Sequence, residues 1–212
     1  MTVNIVNGYC TLADLRGHLG DSGSKLDADL LSRAINSASR AIDRHCSRRF
    51  WKDAQVTTRT YVVDDYYQMW IDDIATTTGV IVKTDDGLTG SWPVTWTTSE
   101  YQLSDVNAGI VASGDTGTPY AYDRIDAIGS RTFPIDWFRA TRPTLQITAT
   151  FGWSAVPDEV NEACILKAAS LFRRKDAPFG VAGFGDFGPV RVTRKDPDVL
   201  DLLNPYERRM WG

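Results

Sequence analysis

The chain has 212 residues, of which 42% are hydrophobic and 24% are charged, an ordinary composition for a folded protein that can bury its own core. Its formal net charge of −4 argues against a dedicated DNA-binding protein, because such proteins usually carry a basic surface excess. The cysteines Cys10, Cys46 and Cys164 are odd in number and far apart, so we expect neither a disulfide framework nor a zinc site.

The start of the chain lacks a basic segment followed by an apolar run, so we expect no signal peptide. No apolar stretch approaches the roughly 20 residues that span a bilayer. These two features predict synthesis and assembly in a cytoplasm, without a membrane partner.

The first 50 residues predict two helices. Thr11 and Asp14 have the spacing of a capping box that opens a short helix through Leu19. Asp27 is the expected N-cap of a longer helix, which should end near Ser47. The longer helix has its apolar positions on one stripe: Leu31, Ala34, Ile35, Ala38, Ala41 and Ile42.

Residues 51–150 change character, with many Thr, Val, Tyr and Trp residues and a net charge of −6 from 7 basic and 13 acidic side chains. Strands are predicted at 57–63, 79–84, 92–97 and 144–151. The last of these alternates cleanly, with one apolar face made of Leu145, Ile147, Ala149 and Phe151. The Asp85-Asp86-Gly87 run predicts a turn, and Pro93 predicts an edge strand.

The last third returns to a helical pattern. Pro157 is predicted at the first helical position, and the helix should end at the basic run 173–175, the charge order that the helix dipole favours. Its inner stripe is Val160, Ala163, Cys164, Ala168, Leu171 and Phe172. A glycine-rich loop (178–189), a strand (190–194) and a final helix (197–210) interrupted by Pro205 should follow.

These elements predict an α+β fold in which the N- and C-terminal helices form a small bundle. The bundle would comprise residues 1–52 and 152–212, including a C-terminal arm, and the antiparallel β domain of residues 53–151 would be inserted into it. The two long amphipathic helices should pack on each other, because neither has another obvious apolar partner.

Residues that could carry chemistry are few. His18 and His45 belong to no nucleophile motif, and no phosphate-binding or zinc-protease motif occurs, so we expect helix-surface histidines and no enzyme. No catalytic residue, metal site or cofactor is predicted. The acidic pairs at 64–65, 72–73 and 85–86 lack the ligand spacing of a calcium site and are interpreted as solvated turns and strand ends.

Aromatic side chains supply two further candidates. Phe179, Phe184 and Phe187 lie among glycines, which suggests a loop that contacts a second subunit; the alternative is a loop folded back on its own domain. The β block carries Tyr66, Tyr67, Trp70, Trp92 and Trp96. Core and edge packing is the default interpretation of this second set, and a carbohydrate platform is the alternative.

Three segments resemble the head-to-tail connector, or adaptor, proteins of long-tailed phages. Residues 11–50 resemble the N-terminal signature of that family, which is a short helix, an acidic loop and a long helix with an RRF-like end. Residues 147–176 resemble its strand, YGW-like turn and VP-opened helix, with Phe151 where tyrosine is common. Residues 177–192 are similar to adaptors from phages of actinobacteria.

The resemblance implies a structural protein in the virion neck. The expected assembly is a ring, usually of twelve subunits, between the portal and a stopper or tail-completion protein, with DNA passing through the lumen without sequence-specific binding. The alternatives are another neck or tail-completion protein, or a carbohydrate-binding virion module.

The C-terminal residues are the predicted portal-docking segment. They combine large apolar groups and arginines at a chain terminus, where residues are normally polar and mobile unless held by a partner. The predicted contact residues are Leu202, Leu203, Tyr206, Arg208, Arg209 and Trp211. The resemblance adds the direction, since related adaptors grip the portal with a C-terminal arm. The alternative is that Trp211 folds back on its own helical core.

Overall fold

The chain has an α+β fold in which helices at both ends of the sequence flank a β region. This computed structural model describes residues 2–105, 112–113, 118–138, 141–174, 181–182, 190–191 and 196–208, with only the backbone at 112–113, 118–119, 181–182 and 190–191. The chain divides into a helical unit, Met1–Phe50 with Val156–Gly212, and a β unit, Trp51–Ala155.

The first two helices are α1, Leu12–Leu19, and α2, Ala28–Cys46. The predicted capping box of α1 is present, because the Thr11 hydroxyl accepts from the Asp14 amide and the Asp14 carboxylate accepts from the Thr11 amide. The Asp27 carboxylate caps α2, and Ser47 ends that helix in a left-handed conformation with φ of 52°. The predicted starts and ends of both helices are confirmed.

The later helices are α3, Asp158–Arg173, and α4, Pro197–Leu203, which runs into a 3-10 helix, Asn204–Tyr206. Pro157 occupies the N-cap of α3, one residue before the position predicted for it. The interruption predicted at Pro205 is confirmed, since the α-helical geometry stops at Leu203 and the tighter turn begins there.

The core of the helical unit is centred on α3, which packs against α1, α2 and α4. The predicted apolar stripes of α2 and α3 are buried, apart from the half-buried Ala41 and Leu171. The stripe members that are at most 2% exposed are Leu31, Ile35, Ala38, Ile42, Val160, Ala163, Cys164 and Ala168. The prediction that the two long helices pack on each other is therefore confirmed.

Tyr9 joins the N-terminal segment to the end of α2. Its hydroxyl donates to the carboxylate of Asp43 and accepts from the backbone amide of Phe50 at 2.9 Å. Burial and the bond to Asp43 raise the pKa of Tyr9 far above its ordinary value, so the hydroxyl keeps its proton and remains a donor.

The β unit contains two antiparallel sheets and a separate two-stranded pair. One sheet has the order β1-β9-β3-β4: Thr57–Tyr61, Leu145–Ala149, Ile81–Thr84 and Val94–Thr95. The second has the order β2-β8-β5: Gln68–Ile74, Tyr122–Ala127 and Tyr101–Asp105. The separate pair is β6 with β7, Ala112–Ser113 and Thr118–Pro119.

Both sheets contribute to one apolar core, so the antiparallel β domain predicted for residues 53–151 has the arrangement of a small sandwich. The alternation predicted for 144–151 is confirmed: Leu145, Ile147, Ala149 and Phe151 are all fully buried. β4, which follows Pro93, is an edge strand as predicted. Trp96 stacks on Phe133 inside this core, with the ring centroids 4.9 Å apart.

The turn predicted at Asp85 is also present, and it is held by the Asp85 side chain. The amide of Leu88 donates to the carbonyl of Asp85 at 3.1 Å. The carboxylate accepts from the amides of Thr89 and Gly90, at 2.9 and 2.6 Å. Asp85 thus fixes the connection between β3 and β4.

The two ends of the β unit are joined around Gly152. The amide of Asp53 donates to the carbonyl of Phe151 at 2.8 Å, so the incoming and outgoing chain segments lie side by side. Gly152 has φ of +108°, and its amide donates to the carbonyl of Asp73 at 2.7 Å. The indole of the buried Trp153 donates to the Asp73 carboxylate at 2.8 Å.

Candidate functional site

The predicted portal-docking residues divide between the core, the surface and the part of the chain that the structure does not describe. Leu203 and Tyr206 are only 2% and 3% exposed. Leu202 and Arg208 are half-buried. Arg209 and Trp211 lie outside the described residues, and so does the alternative that Trp211 folds back on the core.

Tyr206 is part of the helical core. Its ring packs edge-on against Phe50, with the centroids 5.7 Å apart, and its hydroxyl donates to the Glu159 carboxylate at 2.7 Å. The backbone amide of Arg208 donates to the carbonyl of Cys46 at 2.9 Å. Because Leu203 and Tyr206 already bury their side chains on their own helices, this conformation leaves neither of them available to a partner. Docking through these two residues stays a prediction, and it would require this packing to open.

Replacing Tyr206 with phenylalanine should lower the free energy of unfolding by about 1–2 kcal/mol. The variant keeps the ring contact with Phe50 but leaves Glu159 without its hydroxyl donor. Urea unfolding followed by tryptophan fluorescence measures the change. Tyr67→Phe is the control, because that tyrosine is 64% exposed. Equal stability of the Tyr206 variant and the wild type would contradict a structural role for the hydroxyl.

An apolar groove of about 170 Å³ runs beside α4 in the helical unit. It is lined by Ala41, Ile42, His45, Lys167, Asp196, Val199, Leu200 and Leu203. His45 closes one side through its 2.9 Å contact with Glu207. One side of the groove is formed by α4, which belongs to the C-terminal segment predicted to dock on the portal.

Within the predicted intersubunit loop, 178–189, the structure describes only residues 181–182. Val181–Ala182 (β10) and Val190–Arg191 (β11) pair as antiparallel strands. The first of these strands lies inside the segment predicted as a loop, and the second coincides with the start of the strand predicted at 190–194. Phe179, Phe184 and Phe187 lie outside the described residues, so their contact with a second subunit remains a prediction.

The acidic pairs of the β unit are structural, but the solvated interpretation is wrong for two of their members. Asp73 and Asp85 are only 5% and 0% exposed. The Asp73 carboxylate accepts from the Trp153 indole, and the Asp85 carboxylate accepts from the amides of the turn that follows it. Asp72 points to the other side of its strand and pairs with Arg59 at 2.8 Å. Asp65 accepts from the amides that follow it in a tight turn.

An exposed group of aromatic side chains lies on the β unit. The rings of Tyr66 and Tyr67 are 6.4 Å apart, and that of Trp137 is 6.2 Å from Tyr66. Trp137 and Phe138 are the most exposed large apolar residues that the structure describes, at 70% and 98%. We call Tyr66, Tyr67, Trp137 and Phe138 the aromatic cluster.

Of this cluster, only Tyr66 and Tyr67 are among the candidates predicted from the sequence. Trp137 and Phe138 belong to no periodic pattern, and the short run Asp-Trp-Phe at 136–138 was their only signal. Of the other candidates, Trp96 is a core residue, Trp92 is half-buried, and Trp70 is 49% exposed with the Arg124 guanidinium 5.8 Å from its ring centroid. Of the predicted core and edge packing, the core position is confirmed for Trp96, whereas Tyr66 and Tyr67 are exposed.

The candidates for catalysis find no support in the local geometry. His18 is exposed near the end of α1, and His45 faces the carboxylate of Glu207. Cys46 is buried, and burial raises its pKa to about 12, which keeps the thiol protonated and unreactive. Among the described side chains, no group of three or more potential metal ligands is found.

No helix in the described part of the chain is both long and apolar enough to cross a membrane. No family model matches the chain, and no curated protein is detectably similar to it.

Solved structures share the fold over nearly the whole chain. A protein in the neck of an empty gene transfer agent particle, computed with C6 symmetry, is 18% identical, with a TM-score of 0.56. That alignment covers 99% of this chain and 95% of the other. A protein in the neck of the native particle, computed with C12 symmetry, is 21% identical with a TM-score of 0.51, covering 100% and 98%.

A third similar structure is a protein of the native gene transfer agent virion. It is 21% identical with a TM-score of 0.51, and the alignment covers 100% of this chain and 97% of that one. At these identities the likeness establishes a shared fold, and it includes the helical unit together with the β unit.

Proposed function

We propose that the chain is a structural head-to-tail adaptor of a tailed phage, forming a ring between the portal and a stopper or tail-completion protein. The observation that carries the proposal is the extent of the fold likeness, 99–100% of this chain against proteins of gene transfer agent necks and virions. The resemblance of residues 11–50 and 147–192 to phage connectors is an independent support, because it rests on sequence motifs alone.

The geometry of the segments that resemble phage connectors agrees with a scaffold role. The turn around Gly152 and Trp153 completes the β unit, and the segments at 11–50 and 158–173 form the helical core. The side chains at these places are occupied with packing and internal hydrogen bonds. A subunit that acts by assembling with others requires this kind of rigid framework, and no reaction step is proposed.

Docking to the portal is proposed for the exposed part of the C-terminal segment. Leu202 and Arg208 keep part of their side chains at the surface, and Arg209 and Trp211 follow them in the sequence. Tryptophan and arginine are the residues most enriched at binding hot spots. The loop residues Phe179, Phe184 and Phe187 are proposed as an additional contact between neighbouring subunits.

The direct test mixes the purified chain with portal rings of the phage that encodes it. Negative-stain electron microscopy should show an added ring on the portal, with twelve subunits as the expected copy number. A double variant, Arg208→Ala with Trp211→Ala, should fold and bind portal rings more weakly. A chain that stays monomeric and also fails to bind portal rings would contradict the adaptor role.

The lumen of the proposed ring should let DNA slide, so the chain should bind duplex DNA weakly. Each contact between a phosphate and a Lys or Arg side chain adds salt-dependent affinity, and the net charge of −4 disfavours many such contacts. Fluorescence anisotropy with a labelled duplex at physiological salt should give a Kd well above about 1 μM. Micromolar or tighter binding would contradict a passive lumen.

A further inference from the structure

We propose that the aromatic cluster of one copy of the chain is buried against the helical unit of a second copy. The inference deepens the proposed ring and rests on it, since it names the surface through which neighbouring subunits meet. Four observations carry it: the rigidity of the cluster, the tilt of its rings, its exposed area and the distribution of charge along the chain.

Hydrogen bonds hold the backbone that presents the two tyrosines of the cluster. The Asp65 carboxylate accepts from the Tyr67 amide at 2.7 Å, and the carbonyl of Tyr67 accepts from Ala127 at the same distance. The carbonyl of Tyr66 accepts from the amide of Phe133 at 2.8 Å. A segment whose backbone is already fixed loses little backbone entropy when it binds, and aromatic side chains have few rotatable bonds to order. Both properties favour a role at an interface.

The arrangement of the rings favours a protein partner over a sugar. A sugar ring stacks flat on an aromatic face, but the ring planes of Tyr66 and Tyr67 are tilted by 60°, and so are those of Tyr66 and Trp137. The hydroxyl of Tyr66 already accepts from the Trp137 indole at 3.0 Å. Tilted rings, two of which already bond to each other through their polar groups, form an uneven and largely apolar surface, typical of the centre of a protein interface.

The exposed area has the scale of an interface. The four side chains are 44%, 64%, 70% and 98% exposed for Tyr66, Tyr67, Trp137 and Phe138. Taking about 200 Å² for a whole aromatic side chain, they present roughly 550 Å² of aromatic surface. A standard interface buries about 800 Å² on each partner. The cluster alone therefore supplies most of the surface that a stable contact between two subunits needs.

The distribution of charge selects the partner surface. The β unit has 7 basic and 13 acidic residues, a net charge of −6, whereas the helical unit has 16 basic and 14 acidic residues, a net charge of +2. A symmetric pair of clusters would bring two strongly acidic β units together. A head-to-tail contact instead places the acidic unit of one copy on the helical unit of the next, whose net charge is slightly positive. A head-to-tail contact of this kind, repeated by rotation about one axis, is the type of contact from which closed rings are built.

The test compares two double variants of the full chain. Trp137→Ala with Phe138→Ala removes the most exposed half of the cluster. Val56→Ala with Ile81→Ala is the matched control, because these two residues are also exposed, at 57% and 44%, and belong to the same unit. Sedimentation velocity over a wide concentration range should show self-association of the wild type and the control. The cluster variant should associate roughly a hundredfold more weakly.

Raising the salt concentration should weaken the association of the wild type, because it screens attraction between units of opposite charge. Association of the cluster variant equal to that of the wild type would overturn the inference. Association that strengthens with salt would overturn it in favour of a symmetric contact between two clusters. Binding to a glycan array that is lost in the cluster variant would overturn it in favour of a sugar ligand.

The outcomes also separate this inference from the proposed function. Rings that form equally well from wild type and cluster variant would contradict the inference alone. A wild-type chain that stays monomeric at every concentration, with and without portal rings, would contradict both. Circular dichroism and thermal unfolding of the cluster variant should match the wild type, since the replaced side chains are exposed.

Discussion

Replacing Gly152 with alanine should lower the free energy of unfolding by about 3–5 kcal/mol, since both overpacking and positive φ are penalised. A Cβ at this position would lie 2.1 Å from the carbonyl oxygen of Trp51 and 2.8 Å from the Cα of Lys52. Both atoms belong to the backbone, so neither can rotate away. The φ of +108° is in addition a conformation that residues with a side chain rarely adopt.

The control for Gly152→Ala is Gly129→Ala, in the same unit. Gly129 also has positive φ, +69°, but a Cβ there would meet nothing within 4 Å. Its substitution should cost only about 1–2 kcal/mol, the penalty for left-handed backbone. Urea unfolding followed by tryptophan fluorescence separates the two effects, with Trp153 as a nearby reporter. Equal stability of the two variants would contradict the close approach at Gly152.

Replacing Ile35 with alanine should cost about 2–5 kcal/mol, the range for truncating a large buried aliphatic side chain. Ile35 is 0% exposed on the face of α2 that packs against α3, so the substitution removes apolar contact and leaves a cavity. Equilibrium unfolding in urea measures the loss, and thermal unfolding should show a clearly lower Tm.

Leu30→Ala is the matched control for Ile35→Ala, because Leu30 lies on the same helix but is 39% exposed. It should change stability by less than about 1 kcal/mol. An unchanged Tm for the Ile35 variant would contradict the packing of α2 on α3. The comparison thus tests the helical core independently of any assembly.

The helices could be predicted from the sequence because two local signals agree there. The caps at Thr11 and Asp27 fix where α1 and α2 begin, and the apolar spacing fixes which face is buried. For β9 the strict alternation of apolar and polar residues was equally decisive. The interruption at Pro205 followed from proline chemistry alone.

The sheet formed by β2, β8 and β5 could not be predicted in the same way. Its strands carry polar and acidic residues such as Asp72, Asp123 and Asp126, which are uncommon in strands. Asp73 and Asp123 are nevertheless buried. What stabilises a buried carboxylate is its partner, and for Asp73 the partner Trp153 lies 80 residues away in the sequence. No local pattern reveals such a contact.

The candidate sites also depend on contacts between residues that are far apart in the sequence. Apolar groups near the C-terminus are recognisable in the sequence, but the buried position of Tyr206 involves contacts with Phe50 and Glu159, which are remote in the sequence. The aromatic cluster combines residues 66–67 with residues 137–138, and only the folded chain brings them together. The relation to adaptors of actinobacterial phages and the docking to a portal stay predictions.

Because the two ends of the β unit are adjacent, the residues between them form a block that the chain could lack without a long gap. The amide of Asp53 bonds to the carbonyl of Phe151, so a chain that skipped the residues between them would need only a very short linker to close the gap. Insertions and deletions are tolerated where the two ends of a segment are close together. A gene for such a protein could therefore gain, lose or exchange this block in a single event while its helical unit kept an uninterrupted reading frame and its own core.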